Sequence, residues 1–200
     1  MSRPAVVLGS TQVPEKIDTD RARAAQVDVV RRRGGGGAVL VAPGALVWVD
    51  VLVPAGDPLW DPDVGRAFGW LGRAWATALA DVGVSGAQVH GGRLLTTPWS
   101  AAVCFAGLGP GEVTVGGAKV VGMCQRRTRS GALFQCAALL AWAPDRLLDV
   151  LDLTADDRRR GGTELERVAR GIDVEAEALV DALVARLPRP TPTGAAPALA

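Results

Sequence analysis

The sequence has few of the residue types from which several common active sites are built. Its one histidine, His90, lies in a glycine-rich stretch, and we expect it on the surface, so no histidine-based triad is predicted elsewhere. The three cysteines, Cys104, Cys124 and Cys136, lack metal-ligand spacing and leave one thiol unpaired in any disulfide scheme. No metal site is predicted, and a reducing cytoplasm is the simplest setting for the protein.

A strong net charge and a long uninterrupted apolar run are also absent. The formal charge is +1, so there is no electrostatic case for a nucleic-acid or membrane-surface partner. The longest apolar stretch, 38–55, is broken by two prolines, a glycine and an aspartate, which indicates paired strands rather than a membrane span. The residues before the first strand leave no room for a signal-peptide core. A hydrophobic fraction of 48% is typical of a globular domain that is soluble in water.

Lysine is scarce, because nearly all of the basic residues are arginines. The two lysines are Lys16 and Lys119. A lysine retained in such a chain can supply a compact point charge or a tunable amine that a guanidinium cannot. The alternative is that the two lysines are there by chance.

The hydrophobic pattern predicts an α+β fold, a mostly antiparallel sheet with helices packed against it. Strands are predicted at 5–8, 27–31, 38–41, 46–53, 101–105, 112–115, 119–124 and 133–142, with the third and fourth forming a hairpin. Helices are predicted to begin at Asp61-Pro62, Asp145, Thr163 and Val174. We expect a single catalytic domain over 1–187 and a disordered tail over 188–200.

Four glycines that follow three arginines form the most informative segment, 31–37. Glycine lets the backbone approach a ligand closely, and successive N–H groups can then face an anion. Neighbouring guanidinium groups suit a phosphate or a carboxylate. The alternative is a flexible surface hairpin with solvated arginines. Neither the Walker spacing nor the dinucleotide fingerprint is present.

Three motifs in order carry a resemblance to a known family. They are Val6–Gln12 with its Gly-x-x-Gln turn, Arg31–Val39 with paired arginines and three glycines before Ala-Val, and Gly116–Gly122 with a lysine in a Gly-x-Lys frame. Through these three motifs, the sequence from Ala5 to Ala143 resembles the lipoate–protein ligase and octanoyltransferase superfamily. The resemblance implies a biotin/lipoate ligase-like, class II synthetase-like fold. The family's first helix, expected before the opening strand, is not found.

The resemblance also implies roles for individual residues. The residues that match the stretch binding the acyl adenylate or ATP phosphates are Arg32, Gly35, Gly36, Gly37, Ala38, Val39 and Leu40. Lys119 matches the lysine that contacts the acyl carboxylate, or the thioester carbonyl in transferases. An ammonium placed there would stabilise a developing oxyanion. The leading interpretation is therefore a ligase that uses ATP with magnesium to attach lipoate or octanoate to a lysine through an acyl adenylate.

Cys104 supports a second interpretation. It lies fifteen residues before Lys119, a placement that resembles the cysteine-dependent octanoyltransferases of the superfamily. A thiolate near an ammonium is a competent nucleophile. Such an enzyme would take octanoate from acyl carrier protein and would need no cofactor. The alternative is a small buried strand residue.

Departures from the family pattern leave a third interpretation open, a catalytically degenerate acyl-binding protein. The family's His-Asp-x-Gly-Asn is replaced by Val41–Ala45, its His-Gly by Gln135-Cys136, and Glu112 stands where ligases often have aspartate. The biotin branch is disfavoured because segment 31–37 does not match its Gly-Arg-Gly-Arg-type loop.

The partners that the resemblance implies are the lipoyl domain of a 2-oxoacid dehydrogenase or the glycine cleavage H protein. Lipoate or octanoate would be the acyl group, with acyl carrier protein as a possible donor. All three interpretations need one spatial arrangement: the glycine run and the Lys119 amine must converge on a single acyl-sized cleft.

Overall fold

The computed structural model describes residues 3–188. Within them the chain forms two sheets and five α-helices. The strands are β1 (Ala5–Leu8), β2 (Asp28–Arg31), β3 (Val39–Val41), β4 (Leu46–Pro54), β5 (Ala87–Val89), β6 (Val113–Val115), β7 (Ala118–Thr128) and β8 (Gly131–Leu139). The helices are α1 (Thr19–Ala24), α2 (Gly69–Asp81), α3 (Pro144–Leu148), α4 (Ala155–Val168) and α5 (Ala176–Arg186).

The smaller sheet has the order β2-β1-β3. Strand β1 is buried along its whole length, and its apolar run explains why it is the central strand. Helix α1, capped by the Asp18 carboxylate, makes the crossover to β2, which runs parallel to β1, whereas β3 is antiparallel to it. Because β2 and β3 lie on opposite sides of β1, the glycine run between them passes over the end of β1.

The larger sheet has the order β4-β8-β7-β6-β5 and is antiparallel throughout. Side chains alternate along its strands. One set, including Phe134 and Val121, packs against Trp75 and Leu79 of α2 and Leu183 of α5 to form the main core. The α+β prediction is confirmed, with the β1–β2 pair as the one parallel exception among named strands.

A second core lies beneath the smaller sheet. Val6 and Leu8 of β1 pack there with Leu147 and Leu148 of α3 and with Leu165 of α4. A third, smaller cluster joins Val39 and Phe105 to Ala137 and Leu139, and so connects the two sheets. The candidate site lies at this connection.

The predicted hairpin of strands three and four is wrong. The turn at Pro43-Gly44 forms, but β3 pairs with β1 whereas β4 pairs with β8 over nine residue pairs. The three residues of β3 could not offer β4 a partner of that length. The turn therefore carries the chain from one sheet to the other.

The predicted strand at 101–105 is also wrong. Val103 makes a single parallel bridge to Ala38, and the chain then enters a 3₁₀ turn, Cys104–Ala106. Strand β5 was not predicted, because Ala87–Val89 is only three residues long.

Two helix starts were placed wrongly. Asp61 and Asp63 hydrogen-bond nearby backbone N–H groups in tight turns, so α2 begins only at Gly69, after a 3₁₀ turn. Thr163 lies inside α4. The N-cap of this helix is Thr154, whose side-chain oxygen accepts a hydrogen bond from the Asp157 N–H.

The predicted tail, apart from Pro188, falls outside the described residues. Within residues 3–188, we find no helix that is both long enough and apolar enough to span a bilayer.

Candidate active site

Arg32 anchors the glycine run through hydrogen bonds to backbone carbonyl oxygens. Its guanidinium donates to the carbonyl oxygens of Val7 at 3.1 Å, Gly35 at 2.7 Å and Gly37 at 2.9 Å. The side chain is buried, with 7% of the residue exposed. The role that the structure shows for Arg32 is to shape the loop. Arg31 and Arg33, by contrast, are exposed beside it.

The glycines have different surroundings. Gly35 has open space around the position of a Cβ, and Gly36 is exposed with φ +94°. A Cβ on Gly37 would lie 2.5 Å from the Val103 carbonyl carbon and 2.7 Å from the Cys104 nitrogen. Glycine is therefore required at position 37 by close backbone packing, and the loop lies directly against the segment that contains Cys104.

The three apolar residues after the glycines are packing residues. Ala38 is buried in the second core, with Leu40 against it, and Val39 is buried in the cluster between the sheets. The backbone of Ala38 donates to the Ala102 carbonyl at 2.8 Å and accepts from the Cys104 N–H at 3.0 Å. These two bonds fix the glycine loop to the 3₁₀ turn.

Cys104 is a half-buried free thiol at the start of that turn. Its Sγ lies 3.8 Å from the position of a Cβ on Gly36. Within residues 3–188 we find no acceptor for the backbone N–H of Gly36 or of Gly35. The thiol therefore faces an exposed stretch of backbone with donors available for an oxygen atom.

Lys119 lies on the other side of the turn, in a buried ion pair. Its ammonium nitrogen is 2.7 Å from Glu112 Oε2 and donates to the carbonyl oxygens of Cys104 at 3.1 Å and Gly107 at 2.9 Å. An ammonium has three N–H donors, and three acceptors meet them. Only 3% of the lysine side chain is exposed.

Glu112 completes this buried network. Its carboxylate also accepts from the N–H of Gly109 at 2.7 Å and of Met123 at 2.9 Å. It therefore links the loop before β6 to β7, and through Lys119 to the Cys104 turn. The sequence pattern marked Glu112 only as a departure from the ligase aspartate and carried no signal of this pairing.

The glycine run and the Lys119 amine were expected to share one cleft, but Gly36 and Lys119 line different cavities within residues 3–188. Gly36 lines a cavity of about 510 Å³, whereas Lys119 lines a smaller one of about 210 Å³. The thiol of Cys104 lies toward Gly36, and its carbonyl oxygen receives the Lys119 ammonium. The glycine run and the lysine therefore converge on Cys104 from opposite sides.

The other two thiols are less suited to act as nucleophiles. Burial raises the pKa of the Cys124 thiol, whose sulfur lies close to Gly34. Burial raises the pKa of Cys136 to about 12. Both shifts keep the thiol protonated at neutral pH, and only the thiolate is strongly nucleophilic. The Cys104 thiol, by contrast, lies beside Gly36, which lines the cavity of about 510 Å³.

An apolar surface adjoins the site where the two sheets meet. Trp48, Val41 and Leu46 are half-buried around Val39 and Ala137. Nearby, the Oε1 atom of Gln135 is buried and has no hydrogen-bond partner within residues 3–188. Among the same residues we find no cluster of three metal-ligating side chains.

A family model and a curated relative match this chain. The family model of the lipoyl protein ligase A/B catalytic domain matches residues 1–186. The octanoyltransferase LipM of Clostridioides difficile (strain 630) is 26% identical over 129 residues, which cover 64% of this chain and 46% of that protein. The chain thus spans about half the length of this curated relative.

Solved structures show the same fold. A bipartite lipoate protein ligase from Thermoplasma acidophilum, described with its E2 lipoyl domain, matches with a TM-score of 0.72 and 20% identity over 92% of this chain and 66% of its own. Lipoate-protein ligase A bound with ATP matches with a TM-score of 0.68 and 22% identity, over 92% and 67%. At these identities the likeness shows the fold alone.

Proposed function

Since the chain belongs to the lipoyl protein ligase A/B catalytic domain family, we propose that it is an acyltransferase with Cys104 as its nucleophile. It moves a medium-chain acyl group of the octanoyl class from a thioester donor to a lysine. The acceptor is a lipoyl domain, of the 2-oxoacid dehydrogenase or H-protein type. No cofactor is required, and a reducing compartment such as the cytoplasm keeps the thiol reactive.

The observation that carries the proposal is the position of the Cys104 thiol beside exposed Gly36. In the first step the sulfur attacks the thioester carbonyl carbon. The donor's C–S bond breaks, and the released thiol takes the proton that Cys104 loses. In the second step the neutral acceptor amine attacks the acyl-cysteine, an amide forms, and the amine proton returns to the Cys104 sulfur.

The glycine loop supplies the electrostatic part of the reaction. Each step places negative charge on the carbonyl oxygen, and Gly36, whose backbone N–H has no acceptor within residues 3–188, lies beside the thiol. Fixed backbone donors of this kind stabilise an oxyanion without reorganising. Arg32 keeps the loop in this shape through its bonds to the Gly35 and Gly37 carbonyl oxygens.

The apolar surface around Trp48 suits the acyl chain. Each methylene that it removes from water contributes roughly 0.8 kcal/mol, so a medium-length chain gains several kcal/mol of binding free energy.

One observation favours a second candidate, an ATP-dependent ligase. Arg31 and Arg33 are exposed beside the open Gly35, where they can reach a phosphate. Magnesium ATP would then form an acyl adenylate. The engagement of all three Lys119 donors argues against this candidate, because the lysine has none left for an adenylate in this arrangement.

Intact-mass spectrometry tests the proposal. After incubation with octanoyl-carrier protein, we expect the wild type to gain the mass of one octanoyl group, sensitive to hydroxylamine, and to pass it to a lipoyl domain. Cys104→Ser should lose transfer, whereas Cys136→Ala should still be acylated. An unacylated wild type that instead shows lipoate-dependent ATP–pyrophosphate exchange would establish the ligase. Octanoate binding without either product would establish the non-catalytic binder.

A further inference from the structure

The cavity of about 510 Å³ beside Gly36 has a size typical of small-molecule sites. Three segments far apart in sequence form its walls: the loop after β1, the stretch before Cys104 and the connection after α3. The wall residues include Thr11, Val13, Lys16, Ser100, Ala101 and Asp152.

Gln12 holds two of these walls together. Its Oε1 accepts from the Gly9 N–H at 2.9 Å, and its Nε2 donates to the carbonyl oxygens of Ala101 and Ala102, both at 3.1 Å. The third wall is joined to the first by a bond from the Asp152 N–H to the Lys16 carbonyl at 2.8 Å. The cavity is therefore preformed by hydrogen bonds between its walls.

The lining combines apolar and polar groups. Val13, with 49% of its surface exposed, lies with Leu151 and Leu153 among the hydroxyls of Thr11 and Ser100. Lys16 is exposed and makes no ion pair within residues 3–188, although Asp152 lines the same cavity. A purely apolar acyl chain would leave these polar groups unused, whereas an arm that alternates amides with methylenes matches them.

Gly36 lies between the cavity and the nucleophile, because it lines the cavity and its Cβ position is 3.8 Å from the Cys104 sulfur. The reacting carbonyl of a thioester has the acyl chain on one side and the sulfur-linked arm on the other. The chain and the arm therefore need two separate binding surfaces that meet at the attacking sulfur. The apolar surface around Trp48 suits the first, and the mixed cavity suits the second.

We propose that this cavity binds the pantetheine-type arm of the acyl donor, with Lys16 facing the phosphate that ends the arm. This inference rests on the proposed function. When Cys104 attacks, the donor's C–S bond breaks. The arm leaves as a thiol, which takes the proton that Cys104 loses and stays in the cavity until the product dissociates.

Ala101→Trp tests the arm site, because Ala101 is exposed and a large ring there fills the cavity. The donors are octanoyl-pantetheine, octanoyl-coenzyme A, octanoyl-carrier protein and the armless p-nitrophenyl octanoate. We expect kcat/KM to fall by about tenfold or more for the three armed donors, about 1.4 kcal/mol of transition-state binding, with the armless ester unchanged. Ala185→Trp, at an exposed position on α5, is the matched control. An equal fall for all four donors, or no fall, overturns the assignment.

Lys16→Ala tests the phosphate contact. We expect it to raise KM several-fold for octanoyl-coenzyme A and octanoyl-carrier protein but not for octanoyl-pantetheine, which has no phosphate, and Lys16→Arg to retain most of the affinity. A change on octanoyl-carrier protein alone would instead identify Lys16 as a contact to the carrier protein and overturn the phosphate assignment.

Comparison of the four donors separates failure of this inference from failure of the proposed function. If none of the four donors acylates Cys104 in the wild type, both are wrong. If the donors acylate Cys104 but Ala101→Trp does not distinguish armed from armless donors, only the arm site is wrong.

Discussion

Each of the two lysines lines a cavity next to the Cys104 turn, but their surroundings are opposite. Lys119 is buried against Glu112, and Lys16 is exposed in the wall of the larger cavity. Taking two charges out of water is costly, and the cost is repaid only when hydrogen bonds satisfy both groups. Here the carboxylate and the ammonium each have additional backbone partners.

We predict that Glu112→Gln destabilises the protein and slows acylation of Cys104. The substitution leaves the Lys119 ammonium buried without its counter-charge, which costs about 3–5 kcal/mol of unfolding free energy in comparable buried pairs. The ammonium would then no longer hold the Cys104 and Gly107 carbonyl oxygens in place. Urea unfolding measures the first effect, and the rate of acyl-enzyme formation measures the second.

The double variant Glu112→Gln with Lys119→Met is the control. It removes both charges, so most of the lost stability should return, whereas acylation should stay slow because the turn is still unanchored. Wild-type stability and rate in the single variant would show that the pair does not position the nucleophile.

At the scale of elements, the site depends on contact between a loop and a turn. The glycine loop crosses the end of β1, and the 3₁₀ turn lies against it through the backbone bonds of Ala38. Gly37 is the point of closest approach, whereas Gly35 borders open space.

We predict that Gly37→Ala lowers the unfolding free energy by about 1–3 kcal/mol, as overpacking does, and slows acylation. The new methyl group would lie 2.5 Å from the Val103 carbonyl carbon, so loop and turn must separate. Gly35→Ala is the control for stability, because no atom lies within 4 Å of its added Cβ. Urea unfolding of the two variants should differ clearly, and equal unfolding free energies would contradict the packing argument.

At the scale of the whole molecule, the two sheets have separate cores and meet at a small cluster beside the site. The main core contains Cys136, which is fully buried between the larger sheet and the helices. Burial raises the pKa of this thiol to about 12. In the unfolded chain a cysteine ionises at about 8.5, so the unfolded state loses its proton first as the pH rises.

We predict that the unfolding free energy of the wild type falls more steeply with rising alkaline pH than that of Cys136→Ala. Between about pH 8.5 and 12 the folded thiol holds a proton that the unfolded thiol releases, so the wild type loses up to about 1.4 kcal/mol per pH unit relative to the variant. The variant, less stable by about 1 kcal/mol at pH 7 because of its small cavity, should overtake the wild type above pH 9 to 10.

Urea unfolding at pH 7, 9 and 10 measures this crossing. The chain has no tyrosine and only two lysines, so few other groups titrate in the range, and those that do are common to both proteins. A stability difference that stays constant with pH would contradict the prediction.

Much of the local structure could be predicted from the sequence. The apolar runs at Ala5–Leu8 and within β7 and β8, and the arginine–glycine segment, each have a signature within a few residues. Periodicity and turn chemistry act over such short distances. The roles expected for Cys104, Lys119 and the glycines came instead from the resemblance of three short motifs to a known family.

Only the tertiary structure decided how these pieces are partnered. Strand β4 lies beside β8 rather than β3, Glu112 pairs with Lys119, and Gly36 and Lys119 line different cavities within residues 3–188. Which strand or charge lies beside another depends on burial and on pairing between residues far apart in the chain. A short sequence pattern carries no information about that competition, because the same apolar or charged residue satisfies many possible neighbours until the whole chain has packed.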